Sequence, residues 1–289
     1  MKIEYYAKAN DFLSHAAVLM EKDEARYCLI LGIAKRLIDN PHAYGKIDPW
    51  FCIVNDSGKI VAAAIRTPPY NVLLAHFSGD QVSEAVALAD SISKRSEAIP
   101  GTVGDIVIAE PFAEHWCATH GIKVTGKMVQ RIYRLEKISN ITRASGKLRP
   151  ATTDDKEILT KWMRSFYQDV FEPVNSDRLK DDAPLIVDTT KVYLWEDGIP
   201  VSMVAKTRPT KNGISIGLVY TPPEFRQKGY ATSCVATLCK ELLNSGYKFC
   251  MLYTDLANPV SNSIYQKIGF REVCDSVEFS FSNPARSSI

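Results

Sequence analysis

Apolar residues recur along this chain with two periods, and the switches between the periods mark its elements. Residues 12–38, FLSHAAVLMEKDEARYCLILGIAKRLI, hold apolar positions three and four apart and predict helices. FCIVNDSGKIVAAAIRTPP (51–69) places two apolar runs about Asn55, Asp56, Ser57 and Gly58 and predicts a hairpin. NVLLAHF (71–77) predicts a strand and QVSEAVALADSISKRSE (81–97) an amphipathic helix. VGDIVIA (103–109), PFAEHWCATHG (111–121) and KMVQRIYRLEKI (127–138) read as strand, helix and strand. SNITRASGKLRP (139–150) is polar and without period, so a domain boundary is expected at about 139–146.

Beyond it the plan repeats. TTDDKEILTKWMRSFYQDVF (152–171) opens on a threonine cap and an acidic first turn and predicts a helix. KVYLWEDGIPVSMVAKTRP (191–209) predicts a second hairpin. At an offset of 140, Gly58 meets Gly198, Val61 meets Val201, Arg66 meets Lys206 and Thr67 meets Thr207. Each half then continues strand, helix, strand, helix, strand. The expected fold is α/β, one fold occurring twice, as residues 1–138 and 146–289.

The densest stretch is VYTPPEFRQKGYATSCVATLCKELL, beginning at Val219. A strand over 214–220 meets two prolines, then a basic run, Arg226-Gln227-Lys228, then Gly229. Apolar residues recur from Ala231 through Val235, Leu238 and Leu242, so a helix starts at once. Helix N-termini carry unpaired N–H groups and the positive dipole end, so basic residues there are unfavourable unless an anion offsets them. Glycine lets backbone approach such an anion closely. The stretch reads as a phosphate cradle or, alternatively, as a solvated basic loop. It matches neither the P-loop nor the dinucleotide GxGxxG pattern.

The spacing Arg226-x-x-Gly229-x-Ala231 resembles the coenzyme loop of the GCN5-related N-acetyltransferases. A second motif agrees: TDLANPVSNSIYQKIGF follows an apolar strand and sets Asn258, Tyr265 and Gly269-Phe270 at that family's spacing. The resemblance covers roughly 148–281. It implies two tandem domains of the family's kind, each a mostly antiparallel sheet flanked by helices. It also implies transfer of the acetyl group of acetyl-CoA to a primary amine. The backbone of Leu218, Val219 and Tyr220 would then lie along the thioester and pantetheine. Arg226, Gln227, Lys228, Gly229, Tyr230, Ala231 and Thr232 would hold the pyrophosphate. Asn258 and Ser261 would contact the pantetheine arm, and Tyr265 would protonate the departing sulfur.

No general base stands out. All five histidines lie in the first half, and Glu224, Asp169 and Glu172 are the carboxylates nearest the motifs. The first half lacks the basic turn and has Trp116 and Cys117 where the tyrosine would fall, so it reads as a degenerate copy. The roles open to it are packing, shaping the acceptor site, or forming a homodimer. A catalytically silent acyl-CoA-binding or regulatory module, and a pair of scaffolds, are the competing readings.

Bulk composition adds limits. The 289 residues suggest about two domains of roughly 150. A net charge of +2 gives no argument for nucleic acid or membrane partners. Seven cysteines, odd in number and without a CxxC pair, read as buried reduced thiols, with a zinc site or a catalytic cysteine as alternatives; no metal is assigned. The opening MKIEYYAKAND has no apolar run behind a basic segment, and no stretch approaches the ~18 apolar residues of a membrane span, so a cytoplasmic protein is expected.

Overall fold

The computed structural model describes residues 1–171 and 189–282. The first half runs β1 (Lys2–Tyr6), α1 (Ala9–Met20), α2 (Cys28–Asp39), β2 (Trp50–Asp56), β3 (Lys59–Arg66), β4 (Val72–His76), α3 (Gln81–Ser93), β5 (Gly101–Asp105), α4 (Ile106–His120) and β6 (Val124–Leu135). The second runs β7 (Lys147–Pro150), α5 (Lys156–Phe171), β8 (Val192–Asp197), β9 (Ile199–Pro209), β10 (Gly213–Tyr220), α6 (Tyr230–Asn244), β11 (Phe249–Asp255), α7 (Pro259–Ile268) and β12 (Arg271–Phe281). The order of elements is the same in both, with α2 following α1 in the first. The corresponding stretch of the second half, with Glu172, lies outside the described residues. Gly58 and Gly198, aligned by the 140-residue offset, both adopt left-handed backbone (φ 83° and 76°) at their hairpin turns.

One predicted element changes. VGDIVIA was expected as a strand over 103–109, but β5 ends at Asp105 and α4 begins at Ile106. Asp105 caps the new helix by accepting from the Val107 N–H. This satisfies a first-turn donor that a strand would have paired with a neighbour.

Both faces of the first sheet are covered, which explains why its strands are continuous apolar runs. Phe51, Ile53, Ala63 and Ile65 face a core with Phe12, Met20 and Leu31 of α1 and α2. Cys52, Val54, Ala62 and Ala64 face the other, with Leu88 of α3 and Phe112 and Trp116 of α4. In the second half, Ile214 and Ile216 pack with Val235 and Leu238 of α6, while Leu194 and Met203 pack with Leu159 and Trp162 of α5. The expected cap before α5 is present as a capping box between Thr152 and Asp155. Arg149 bonds both Asp155 oxygens (2.7 and 2.9 Å) and holds that carboxyl down to about 2.

The compact units are not the two contiguous stretches expected from the polar segment. Unit 1 comprises Met1–Ile132, Asp255–Ala257 and the chain from Val273; unit 2 comprises Tyr133–Thr254 and Asn258–Glu272. The strands of unit 1 are ordered β1-β2-β3-β4-β5-β12, and those of unit 2 β11-β10-β9-β8-β7. The physical reason is hydrogen bonding and burial at the closing strands. β12 pairs antiparallel with β5, from Ser276↔Asp105 to Ser280↔Gly101, and Val277 and Phe279 enter the first unit's core. Tyr133 and Leu135, at the end of β6, enter the core of the second. Within the units, β4–β5 and β10–β11 are parallel and the other pairs antiparallel. The fold is therefore mixed α/β on mostly antiparallel sheet.

Candidate acyl-transfer site

β10 is paired on one edge only over half its length. Its parallel register with β11 runs Gly213↔Phe249, Ile214↔Cys250 and Ser215↔Met251, and no pair follows, although both strands continue. The backbone groups of 216–220 that face β11 are left without a strand partner. On the other edge the register with β9 slips between Gly217↔Ala205 and Tyr220↔Met203. Leu218 and Val219 together stand opposite Val204, a β-bulge. Leu218 sits at φ 51°, a left-handed conformation that strains a branched side chain by about 1–3 kcal/mol. A bulge re-aims the amides on either side of it, and here it lies where the strands part.

The chain then turns through Pro222 and a single 3-10 turn, Pro223–Phe225, to the basic loop. Gln227 (φ 64°) and Gly229 (φ 78°) are left-handed on either side of Lys228. Turns of this kind point successive N–H groups into one concavity, a nest for anions. Gly229 is the N-cap of α6 and no side chain caps the helix; its first turn also holds no acidic residue. The first intrahelical bond from the cap runs from Ser233 N to Gly229 O (3.0 Å). The N–H groups of Tyr230, Ala231 and Thr232 thus stand ahead of the helical bonding ladder. Arg226, Gln227, Lys228 and Gly229 are exposed, and Tyr230, Ala231 and Thr232 half-buried.

Three carboxylates border this loop; one, Glu224, is exposed in the 3-10 turn. Asp169, weighed from sequence as a base, lies in the last turn of α5 and accepts from Arg226 Nη2 at 2.7 Å. The Arg226 Nε donates to Thr221 O. Asp197, missed from sequence because Asp197-Gly198 reads only as a turn, accepts from both Tyr230 Oη and Ser145 Oγ at 2.7 Å. Those two hydroxyls hold its carboxyl below the usual range.

The second motif turns out to be a pair of helix caps around one buried tyrosine. Asn258 is the N-cap of α7, its Oδ1 accepting from Ser261 N at 3.0 Å. Gly269 is left-handed (φ 113°), and the N–H of Phe270 returns to Tyr265 O at 3.0 Å, a Schellman closure. A Cβ at Gly269 would lie 2.9 Å from Lys137 O, so the close approach also needs glycine. Tyr265 is 7% exposed, between the rings of Tyr133 and Phe270. Burial, with a smaller contribution from the Cys239 thiol, pushes its phenol well above the ordinary value. Its O–H therefore keeps its proton at any physiological pH.

The seven cysteines are free thiols, five of them buried. Burial raises Cys52 to about 12, which suits inert core packing rather than nucleophilic work. Among the described residues no group of three His, Cys, Asp or Glu side chains is placed to hold a metal, and no helix is long and apolar enough to cross a membrane.

Residues 197–279 match the family described as FR47-like protein. No curated protein matches the chain. Among solved structures, a GNAT-family acetyltransferase from Colwellia psychrerythraea is similar over 98% of this chain and 100% of its own, at 13% identity and a TM-score of 0.55. A GCN5-related N-acetyltransferase from Sphaerobacter thermophilus is similar over 97% and 95%, at 13% identity and 0.58. A tandem GNAT protein from the clavulanic acid biosynthesis pathway, determined without AcCoA, is similar over 99% and 100%, at 11% identity and 0.53. The chain thus has the fold of the GCN5-related N-acetyltransferases, with an FR47-like segment in its second half.

Proposed function

We propose that this protein is a cytoplasmic acetyl-CoA-dependent N-acetyltransferase whose second half holds the coenzyme. The observation that carries the reading is the uncapped start of α6 behind a left-handed glycine and a basic loop, beside a strand edge that has lost its partner. The N–H groups of 230–232 fit a pyrophosphate, and among the described residues no side chain caps the helix there.

The coenzyme supplies an acetyl group activated as a thioester. The unpaired edge of β10 takes the pantetheine as an added strand would be taken, through backbone groups of Leu218, Val219 and Tyr220. The acceptor nitrogen attacks the thioester carbonyl, and an amide of the bulge donates to the developing oxyanion. The carbon–sulfur bond breaks as the adduct's ammonium gives its proton to water, and Tyr265, protonated by its burial, donates to the leaving sulfur and regains its proton from solvent. Asp169 is committed to Arg226, and the acceptor arrives as the free amine, having lost its proton to water. Asn258 and Ser261 stand at the start of α7 beside the arm.

The first half supports this assignment by contrast. Its corresponding helix, α3, is capped by Asp80, and Trp116 is stacked between Phe112 and His120. In this reading the first half is a copy that has given up coenzyme binding.

The burial of Tyr265 among core rings favours a second reading, a module that binds acyl-CoA without turning it over. Calorimetric titration of the full chain with acetyl-CoA, followed by a thiol-release assay over amine classes, tests both. Binding with turnover of one class is expected. Binding without turnover on any class would support the silent module, and no binding would overturn the coenzyme assignment.

A further inference from the structure

We propose that the segment joining the two halves is a wall of the coenzyme site, and that Arg143 gives a cation to the coenzyme's phosphates. The inference rests on the coenzyme reading of α6.

From sequence, 139–146 reads as a polar linker. In the structure it is fastened at Ser139 and again at Ala144 and Ser145, with Ile141 packed against the core between them. Ser139 N donates to Ile268 O at 2.8 Å. Ala144 N donates to the buried Ser233 Oγ at 2.8 Å, in the first turn of α6. Ser145 Oγ donates to Asp197, which also accepts from Tyr230, and Trp195 Nε1 donates to Ser145 O at 2.7 Å. A Cβ at Gly229 would come within 3.8 Å of the Ala144 Cβ. The segment therefore lies against the same turn of helix that would receive the pyrophosphate.

Arg143 is one residue, about 3.8 Å along the backbone, from Ala144. It is exposed and makes no ion pair among the described residues. Of the nearby carboxylates, Asp169 is paired with Arg226, Asp197 accepts from two hydroxyls and keeps its charge, and Glu224 is exposed in the turn before the loop. Arg143, Arg226 and Lys228 thus gather at the positive end of a helix. Ala144 stands against Gly229, so the Arg143 guanidinium is within reach of phosphates seated on the unpaired N–H groups at the positive end of α6. Coenzyme A carries a pyrophosphate and a 3′-phosphate, and the pinned backbone of 144–145 keeps Arg143 within that neighbourhood.

The test is calorimetric titration of the full chain with coenzyme A, for the unmodified protein and for Arg143→Ala, Arg143→Glu and Arg143→Lys. Melting of the unliganded variants should be unchanged, because Arg143 is exposed and makes no ion pair among the described residues. Arg143→Ala should weaken binding roughly 3- to 10-fold, as for a partly screened charge contact, with Glu worse and Lys near the unmodified value. A parallel titration with dephospho-coenzyme A locates the contact. If the loss disappears there, Arg143 meets the 3′-phosphate; if it persists, the pyrophosphate. Equal affinity of the Glu variant and the unmodified protein would overturn the proposal while leaving the coenzyme reading intact. Absence of binding by the unmodified protein would remove the coenzyme reading itself.

Discussion

Asp80 Oδ1 accepts the backbone N–H of Val82 at 3.2 Å, in the first turn of α3. The same carboxylate accepts from Ser83 Oγ at 2.7 Å, and these bonds hold it below the ordinary range. At the corresponding start of α6 stands Gly229, with no side chain at all. One helix is capped by its own carboxylate; the other has no side-chain cap among the described residues.

Gly229→Glu should therefore abolish coenzyme binding while the fold survives. A Cβ there meets the Ala144 Cβ at an ordinary contact distance of 3.8 Å, and the left-handed backbone adds about 1–2 kcal/mol of strain to a non-glycine residue. Asp80→Ala should do the reverse, lowering stability by about 0.5–2 kcal/mol without touching coenzyme affinity. Titration calorimetry and thermal melts on both variants check the pair of outcomes.

Tyr265→Phe should keep the ring packing against Tyr133 and Phe270 and leave coenzyme affinity and melting temperature unchanged. Turnover should fall toward the low end of the ~10²–10⁴-fold typical of a lost general acid. Equal single-turnover rates would make Tyr265 a packing residue.

Asp169→Asn should tighten coenzyme binding by up to about fivefold, because it removes the exposed carboxylate that competes for Arg226. It should not depress turnover. A fall of ~10²-fold or more in kcat would instead mark Asp169 as the missing base.

The Arg149–Asp155 pair should give the protein an acid-sensitive contribution to stability. The Asp155 carboxyl is held at about 2, below its unfolded value, chiefly by Arg149. Its contribution is complete above ~pH 4 and is lost as pH falls toward 2, amounting to roughly 2 kcal/mol. Asp155→Asn should flatten that part of an unfolding-versus-pH profile; an unchanged profile would deny the pair this role.

Residues 146–289 expressed alone should not melt cooperatively. The fragment lacks Tyr133 and Leu135 from its core and gives β12 no β5 to pair with. Emptying two such core positions costs about 2–5 kcal/mol each, against a typical total stability of ~5–15 kcal/mol. A sharp two-state melt of the fragment would show that the closing strands can fold back within their own half.

The sequence by itself determined the elements, because apolar periodicity and caps are local. β10, the turn at Gly229, α6, β11 and the caps of α7 at Asn258 and Gly269 all stand where their residues put them. It determined the basic turn ahead of α6 as well, since a glycine, a basic run and a helix start are neighbours along the chain. Even the difference between the halves is written locally, in Asp80 against Gly229. The tertiary structure decided what depends on partners far apart in sequence. Strand pairing is one: nothing in REVCDSVEFSF says that Ser276 will lie opposite Asp105, because any strand edge offers the same backbone groups. The bulge at Leu218 is another, since register against β9 and the loss of β11 create it. The third is the segment 139–146, whose polarity and missing period suggest a tether. Its backbone donors and carbonyls find Ser233, Trp195 and Ile268 only once the sheet and α6 are built, and the expected tether is instead fastened to the second unit.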